Sequence, residues 1–214
     1  RIKPLQHFTS YIAYGYYPFF KEIPELYHSK VNEVINLILE IELPLLRGID
    51  IAYVRKLKQM LLIIAESVPF IPNISKLSER IGINRQTFLS YLHYLEEVEL
   101  ISILHKDSVG ITRLQKPDKI YLQNTNLAYS IIGEKPNIGN VRETFFLNQI
   151  KQNYTVTLPS IGDFLLNQQY LFEIGGANKK KKQIANQTNA FIVLDEIEHG
   201  FGNKIPLWMF GFLY

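Results

Sequence analysis

Two carboxylates ten positions apart, Asp163 and Glu173, flank a short polar turn in the segment IGDFLLNQQYLFEIGG, Ile161 to Gly176. If Asn167, Gln168 and Gln169 form a three-residue hairpin loop, Leu166 pairs with Tyr170, and counting outward sets Asp163 opposite Glu173. Opposed side chains on neighbouring strands stand about 5 Å apart at Cβ, so two anions there are destabilising unless a divalent metal, a proton or a basic side chain offsets them. Asp163 and Glu173 are therefore candidate ligands for magnesium or manganese. A third carboxylate, Glu143, sits near the start of a predicted helix, VRETFFLNQI, Val141 to Ile150.

A helix carrying a glutamate, then an aspartate on one strand and a glutamate on the next, resembles the core of restriction-endonuclease-like nucleases. The resemblance implies an acidic residue, any residue and a lysine on the second strand, so that carboxylate and amine project from one face and activate water with the metal. Here Glu173 is followed by Ile174 and Gly175, and the amine position is empty. Gly175 and Gly176 break the strand and allow close backbone approach. A lysine run, Lys179 to Lys182, follows, and Lys179 and Lys182 are the candidates for a displaced amine. The plainer reading of that run is a solvated basic patch on a helix. The candidate catalytic set is thus Glu143, Asp163, Glu173, Lys179 and Lys182, in a site that is either degenerate or an active metal-dependent nuclease.

The elements that must position these groups follow from the apolar pattern. With 214 residues and 47% apolar content the chain can bury a core as one large domain or two to three small ones. The net charge of +3 is too small to argue for nucleic acid. The absence of cysteine excludes disulfides and thiolate chemistry and fits a reducing, cytoplasmic setting. Apolar runs such as Met60 to Ala65 fall far short of the roughly 20 residues of a membrane span. The chain starts without methionine and without a basic-then-apolar leader, and is expected to be a piece of something longer.

Amphipathic spacing predicts helices over Tyr27 to Ile41 and Tyr53 to Val68, separated by Pro44 and Gly48, with Pro69 and Pro72 marking a boundary. From Asn73, the residues Ile74, Leu77, Ile81, Phe88, Leu92 and Leu95 fit two short helices joined at Gly82, with Asn84 as N-cap of the second. Strands at Leu100 to Leu104 and Ile120 to Leu122, around a polar loop, complete a winged helix. Its second helix offers Arg85, Gln86, Thr87, Ser90, Tyr91 and His93, of which Arg85, Gln86, Thr87 and Ser90 are the candidate nucleic-acid contacts; Glu96, Glu97 and Glu99 would repel phosphate. Asn124 caps a further helix through Ile132. Thr155 to Leu158, the hairpin and Phe191 to Leu194 then read as strands around a basic helical stretch, Asn178 to Gln187. The expected fold is α+β or α/β in three parts: a helical segment over 1–68, a winged helix-turn-helix over 69–125 and a restriction-endonuclease-like α/β domain over 126–214. The histidines have no metal-site spacing.

Longer stretches carry a second likeness: YGYYPFF (Tyr14 to Phe20), INLILEIELP (Ile35 to Pro44), VRKLKQMLLIIAESVPFIPNISKLSERIGINRQT (Val54 to Thr87), LQKPDKIYLQNTNLAYSI (Leu114 to Ile131), GNVRETFFLNQI (Gly139 to Ile150), FEIGG (Phe172 to Gly176) and GNKIPLWMFGFLY (Gly202 to Tyr214). Together they resemble the C-terminal half of predicted bacterial and archaeal AAA-family ATPases that carry a domain of unknown function. The resemblance implies an N-terminal ATPase module as partner, and ATP bound only there, because no glycine-rich loop ending in Gly-Lys-Ser/Thr occurs here. Family members have a lysine after the glycine pair, where this chain has Ala177, so position 177 is given no role. The leading expectation is a non-catalytic regulatory or nucleic-acid-contacting region, with DNA as a candidate partner, and a degenerate nuclease-like site. The alternatives are a metal-dependent DNA nuclease and a protein-interaction module that docks a partner through its apolar end, Ile205 to Tyr214.

Overall fold

Pro4, with φ already fixed, opens helix α1 (Pro4–Tyr14), whose buried Phe8 and Ile12 lie one turn apart on the same face. A computed structural model describes this and the rest of the chain over residues 2–67, 71–106, 116–133, 136–180, 184 and 187–213. The aromatic stretch after α1 is fastened by Asn126, which is 0% exposed. Asn126 Oδ1 accepts from the Tyr16 amide and the Tyr27 hydroxyl, and its Nδ2 donates to the Ile12 carbonyl at 2.6 Å. Burial pushes the Tyr27 phenol up to about 12, so it serves as a donor throughout the physiological range.

Helix α2 (Tyr27–Leu37) does not stop at Pro44. It passes through a π-turn at Ile38–Glu42 into α3 (Leu43–Arg47), and Gly48, at φ 62, ends it. The widened turn accommodates a ring that lacks an N–H and would crowd the carbonyl four residues earlier in a regular helix. The separation expected at both Pro44 and Gly48 is thus made by the glycine alone.

Asp50 accepts from the Ala52 amide at 2.8 Å and starts α4 (Ile51–Glu66) two residues earlier than the periodicity suggested. Asn73 caps α5 (Ile74–Ile81), Gly82 turns at φ 71, and Asn84 accepts from the Thr87 amide at 2.8 Å to cap α6 (Arg85–Glu97). Strands β1 (Ile101–Leu104) and β2 (Lys119–Leu122) pair antiparallel, and α7 (Thr125–Ile132) follows its Asn124 cap. One apolar core joins α2, α4, α5, α6, the hairpin and α7 around Leu57, Met60, Phe88, Leu95 and Leu127. Pro69 and most of the expected loop between β1 and β2 fall on 68–70 and 107–115, outside the described residues.

The second half sets α8 (Ile138–Ile150) on a five-stranded sheet of β3 (Val156–Thr157), β4 (Phe164–Leu166), β5 (Tyr170–Gly175), β6 (Ala190–Leu194) and β7 (Lys204–Pro206), in that order. The first three strands run antiparallel; β5, β6 and β7 are parallel. Phe146 of α8 packs on Phe164, Phe172 and Phe210, and Phe8 of α1 meets Phe145 edge-on at 4.8 Å, so the first helix of the chain belongs to this core. The opposite face of the sheet carries a smaller cluster of Leu171, Ile184, Ala190, Ile192 and Leu194. The chain's apolar ending divides: Leu207 and Phe210 are core, while Met209, Phe212 and Leu213 are exposed. Of the expected basic helix, the described residues Asn178 to Lys180, Ile184 and Gln187 are turns or irregular, and the rest lies outside the described residues. The chain is of mixed α/β class, and among the described residues no helix is long and apolar enough to cross a membrane.

Candidate functional site

The hairpin closes as its sequence demands. Leu166 pairs with Tyr170, Asn167 and Gln168 adopt left-handed φ of 49 and 58, and the Gln169 amide donates back to the Leu166 carbonyl at 2.9 Å. Beyond the Phe164–Phe172 pair the ladder slips by one residue, because the Asp163 amide also donates to Phe172 O, at 2.9 Å. The Asp163 carboxylate then bends onto β5 and accepts the Ile174 amide through Oδ2 at 2.7 Å. Asp163 therefore caps the end of the neighbouring strand instead of standing square to Glu173.

Glu173 is 1% exposed and its Oε1 lies 2.6 Å from Lys179 Nζ. Gly175 explains how that lysine arrives. A Cβ at 175 would meet Lys179 Cβ, Cγ and Cδ at 2.6, 2.6 and 2.8 Å, so the lysine stem lies where a side chain two residues after Glu173 would begin. At Gly176 a Cβ would meet the Arg142 guanidinium at 3.0 Å; that guanidinium holds Asp195 at 2.9 Å and Glu196 at 3.1 Å. Each glycine of the pair thus leaves room for a cationic side chain.

Glu143, on the first turns of α8, is held from the other half of the molecule. Lys119 Nζ and the Tyr121 hydroxyl both donate to its Oε2 at 2.7 Å. Lys119 and Tyr121 stand two apart on β2, hence on one face, a spacing legible in KIYL once β2 is assigned. These two residues, with Arg142, are the members of the site that the sequence reading missed.

The electrostatics follow from this layout. Burial first, then the Glu143 charge and, more weakly, that of Glu173, raise the Asp163 carboxyl from 3.8 to about 6, against the opposing Ile174 hydrogen bond and Lys119. Burial alone would lower the Lys179 ammonium, but the Glu173 hydrogen bond and the charges of Glu173, Asp163 and Glu143 outweigh it and hold it above its usual value. Burial and the adjoining Glu143 drive the Tyr121 phenol well upward, so it stays protonated and donates to Glu143.

Glu143, Asp163, Glu173 and Lys179 thus share one charged neighbourhood. Phe172 and Ile174 face α8, whereas Glu173, paired with Ile192, leaves β5 on the opposite face with Leu171. Among the described residues no three His, Cys, Asp or Glu side chains form a group able to hold a metal ion. Of the two candidate metal ligands, Asp163 accepts a backbone amide and Glu173 pairs with a lysine. Lys182 lies outside the described residues.

On α6, Arg85, Gln86 and His93 are exposed and Thr87 and Ser90 half-buried. Tyr91, read as exposed from the sequence, is 7% exposed and packs edge-on against Tyr53. Two of the three glutamates closing the helix are engaged: Glu96 accepts the Ile103 amide at 3.0 Å and Glu97 pairs with Arg47.

No curated protein and no solved structure shows significant similarity to the chain. A model for a family described as a domain of unknown function, DUF8612, matches residues 5–137. That span contains α1 to α7, with Arg85, Lys119 and Tyr121, and stops just short of α8 and the three carboxylates. The chain, matched over more than half its length, belongs to the DUF8612 family.

Proposed function

We propose that this chain is the non-catalytic C-terminal region of an AAA-family ATPase, contacting nucleic acid through a winged helix formed by α4 to α6 and the β1–β2 hairpin, and carrying a nuclease-like α/β unit whose site is degenerate. The observation that carries the second part is that each carboxylate already has a partner within the protein: Lys119 and Tyr121 hold Glu143, Lys179 holds Glu173, and Asp163 is turned onto the Ile174 amide. A carboxylate already paired and 1% exposed is a poor metal ligand, because breaking the pair leaves a buried charge. The nucleic-acid part is supported by exposed Arg85 and Gln86 at the capped start of α6 and by the engagement of Glu96 and Glu97, which weakens repulsion of phosphate. Salt-dependent retention on labelled duplex DNA tests it: Arg85→Glu abolishes retention if the helix contacts phosphate, and unchanged retention removes the contact.

A second reading, a metal-dependent DNA nuclease using Glu143, Asp163 and Glu173, is favoured by the place of Lys179. Its stem fills the position of the missing side chain at 175 and brings an ammonium to Glu173, as a displaced amine should. Cleavage of DNA with magnesium or manganese, lost in Asp163→Asn, is the outcome that selects this reading over the first.

A further inference from the structure

Lys151 ends α8 against the β1–β2 hairpin, where its amine meets two neutral acceptors. Nζ donates to Ser102 Oγ at 2.8 Å and to Gln123 Oε1, and the Ser102 hydroxyl donates to the same Oε1 at 2.8 Å. Among the described residues Lys151 makes no ion pair. Burial holds its ammonium below the usual lysine value, against the charges of Glu99 and Glu96, which favour the protonated form. More of it is therefore neutral amine, with a lone pair, than of an exposed lysine. Ser102 is 4% and Gln123 3% exposed, while Lys151 is half-buried, so the lysine is the member of the cluster that solvent reaches.

Gln123 supplies an independent observation. An ammonium has no lone pair, so the amide turns its oxygen to Lys151, and its Nε2 is left buried without an acceptor. Such an unmet donor costs about 1–3 kcal/mol. Nε2 and Oε1 sit on one carbon, so an oxygen one carbon beyond Nζ comes within reach of Nε2 by rotation about the terminal bonds of the lysine. The charges of Glu96 and Glu99 narrow the adduct to a neutral one: a carbamate would add an anion facing them, whereas an amide adds none and breaks no ion pair.

We propose that Lys151 is an acylation site that takes a small acyl group from a thioester. The Nζ lone pair attacks the thioester carbonyl carbon, the N–C bond forms as the C–S bond breaks, and the thiolate leaves with the electron pair and takes up the proton released from Nζ. The amide N–H of the product still donates to the Ser102 and Gln123 oxygens, and its carbonyl accepts from Gln123 Nε2.

The test exposes the intact chain at neutral pH to a neutral acetyl thioester, N,S-diacetylcysteamine, and reads initial acetylation rates lysine by lysine by peptide mass spectrometry. Lys151 is expected to react at least about threefold faster than the exposed Lys76, with the preference abolished in urea. Acetyl-lysine incorporated at position 151 retains the melting temperature within about 2 °C, whereas Lys151→Met, which strands Ser102 and Gln123, lowers it by more than about 3 °C. A smaller rate ratio, a preference that persists in urea, or acetyl-lysine as destabilising as Lys151→Met overturns the proposal.

Discussion

Gly175→Ala is the smallest change that probes how the lysine reaches Glu173. The new methyl would lie 2.6 to 2.8 Å from three consecutive carbons of Lys179, against the about 3.5–4.0 Å at which carbon atoms rest. Two of those carbons are the stem nearest the backbone, so the clash cannot be relieved by swinging the ammonium end alone. Overpacking of this kind costs about 1–3 kcal/mol. Displacement of Lys179 adds the loss of its pair with Glu173, discounted because the lysine side chain is 36% exposed, to about 1 kcal/mol. Chemical denaturation of Gly175→Ala should therefore show a loss of about 2–4 kcal/mol. The decisive arm is Lys179→Gly, which removes all three carbons. In that background Gly175→Ala should cost under about 1 kcal/mol, a coupling well above the few tenths expected of independent sites. Additive losses in the double variant would refute the claim that Lys179 occupies the place of a residue-175 side chain.

Asp163 makes the fold pH-dependent in a defined direction. Because its folded value is raised from 3.8 to about 6, the folded state binds the proton more tightly, and stability falls as pH rises through that window, by up to about 3 kcal/mol. Asp163→Asn should remove this slope, stabilising the protein above pH 6 and leaving it nearly unchanged below 3.8, as read by thermal unfolding across pH. Lys119→Met removes a cation that lowers Asp163, so the Asp163 carboxyl signal in a carbon NMR titration should move its midpoint above about 6; a midpoint that stays or falls contradicts the layout. Arg85→Ala should reduce the slope of log affinity for duplex DNA against log salt by about 1, and an unchanged slope would mean that Arg85 touches no phosphate.

Local structure was legible in the sequence at the caps and the hairpin turn, though not at Pro44, which the helix passes through. Asn84 and Asn124 cap the helices they were expected to cap, and the NQQ loop closes with Leu166 on Tyr170. The vacancy left at Gly175 was also visible, since Glu-Ile-Gly can carry no amine there. What escaped was long-range. Asp163 slips register to satisfy the Ile174 amide, a choice made by the end of a neighbouring strand and not by spacing within the hairpin. Lys119 and Tyr121 reach Glu143 only because α8 docks against β2, and nothing in their local sequence names that partner. Tyr91 looked exposed because helical phase alone does not reveal that Tyr53 of α4 lies over it.

The account rests on Glu143 and Glu173 being paired with lysines and Asp163 being held by a backbone amide, with no metal required. The direct measurement is DNA cleavage by the intact chain with magnesium or manganese, run beside Asp163→Asn and with manganese binding followed by calorimetry. The account predicts no cutting above the variant's background and no heat of specific manganese binding. Metal-dependent cleavage that disappears with Asp163→Asn, accompanied by stoichiometric manganese binding, would contradict it.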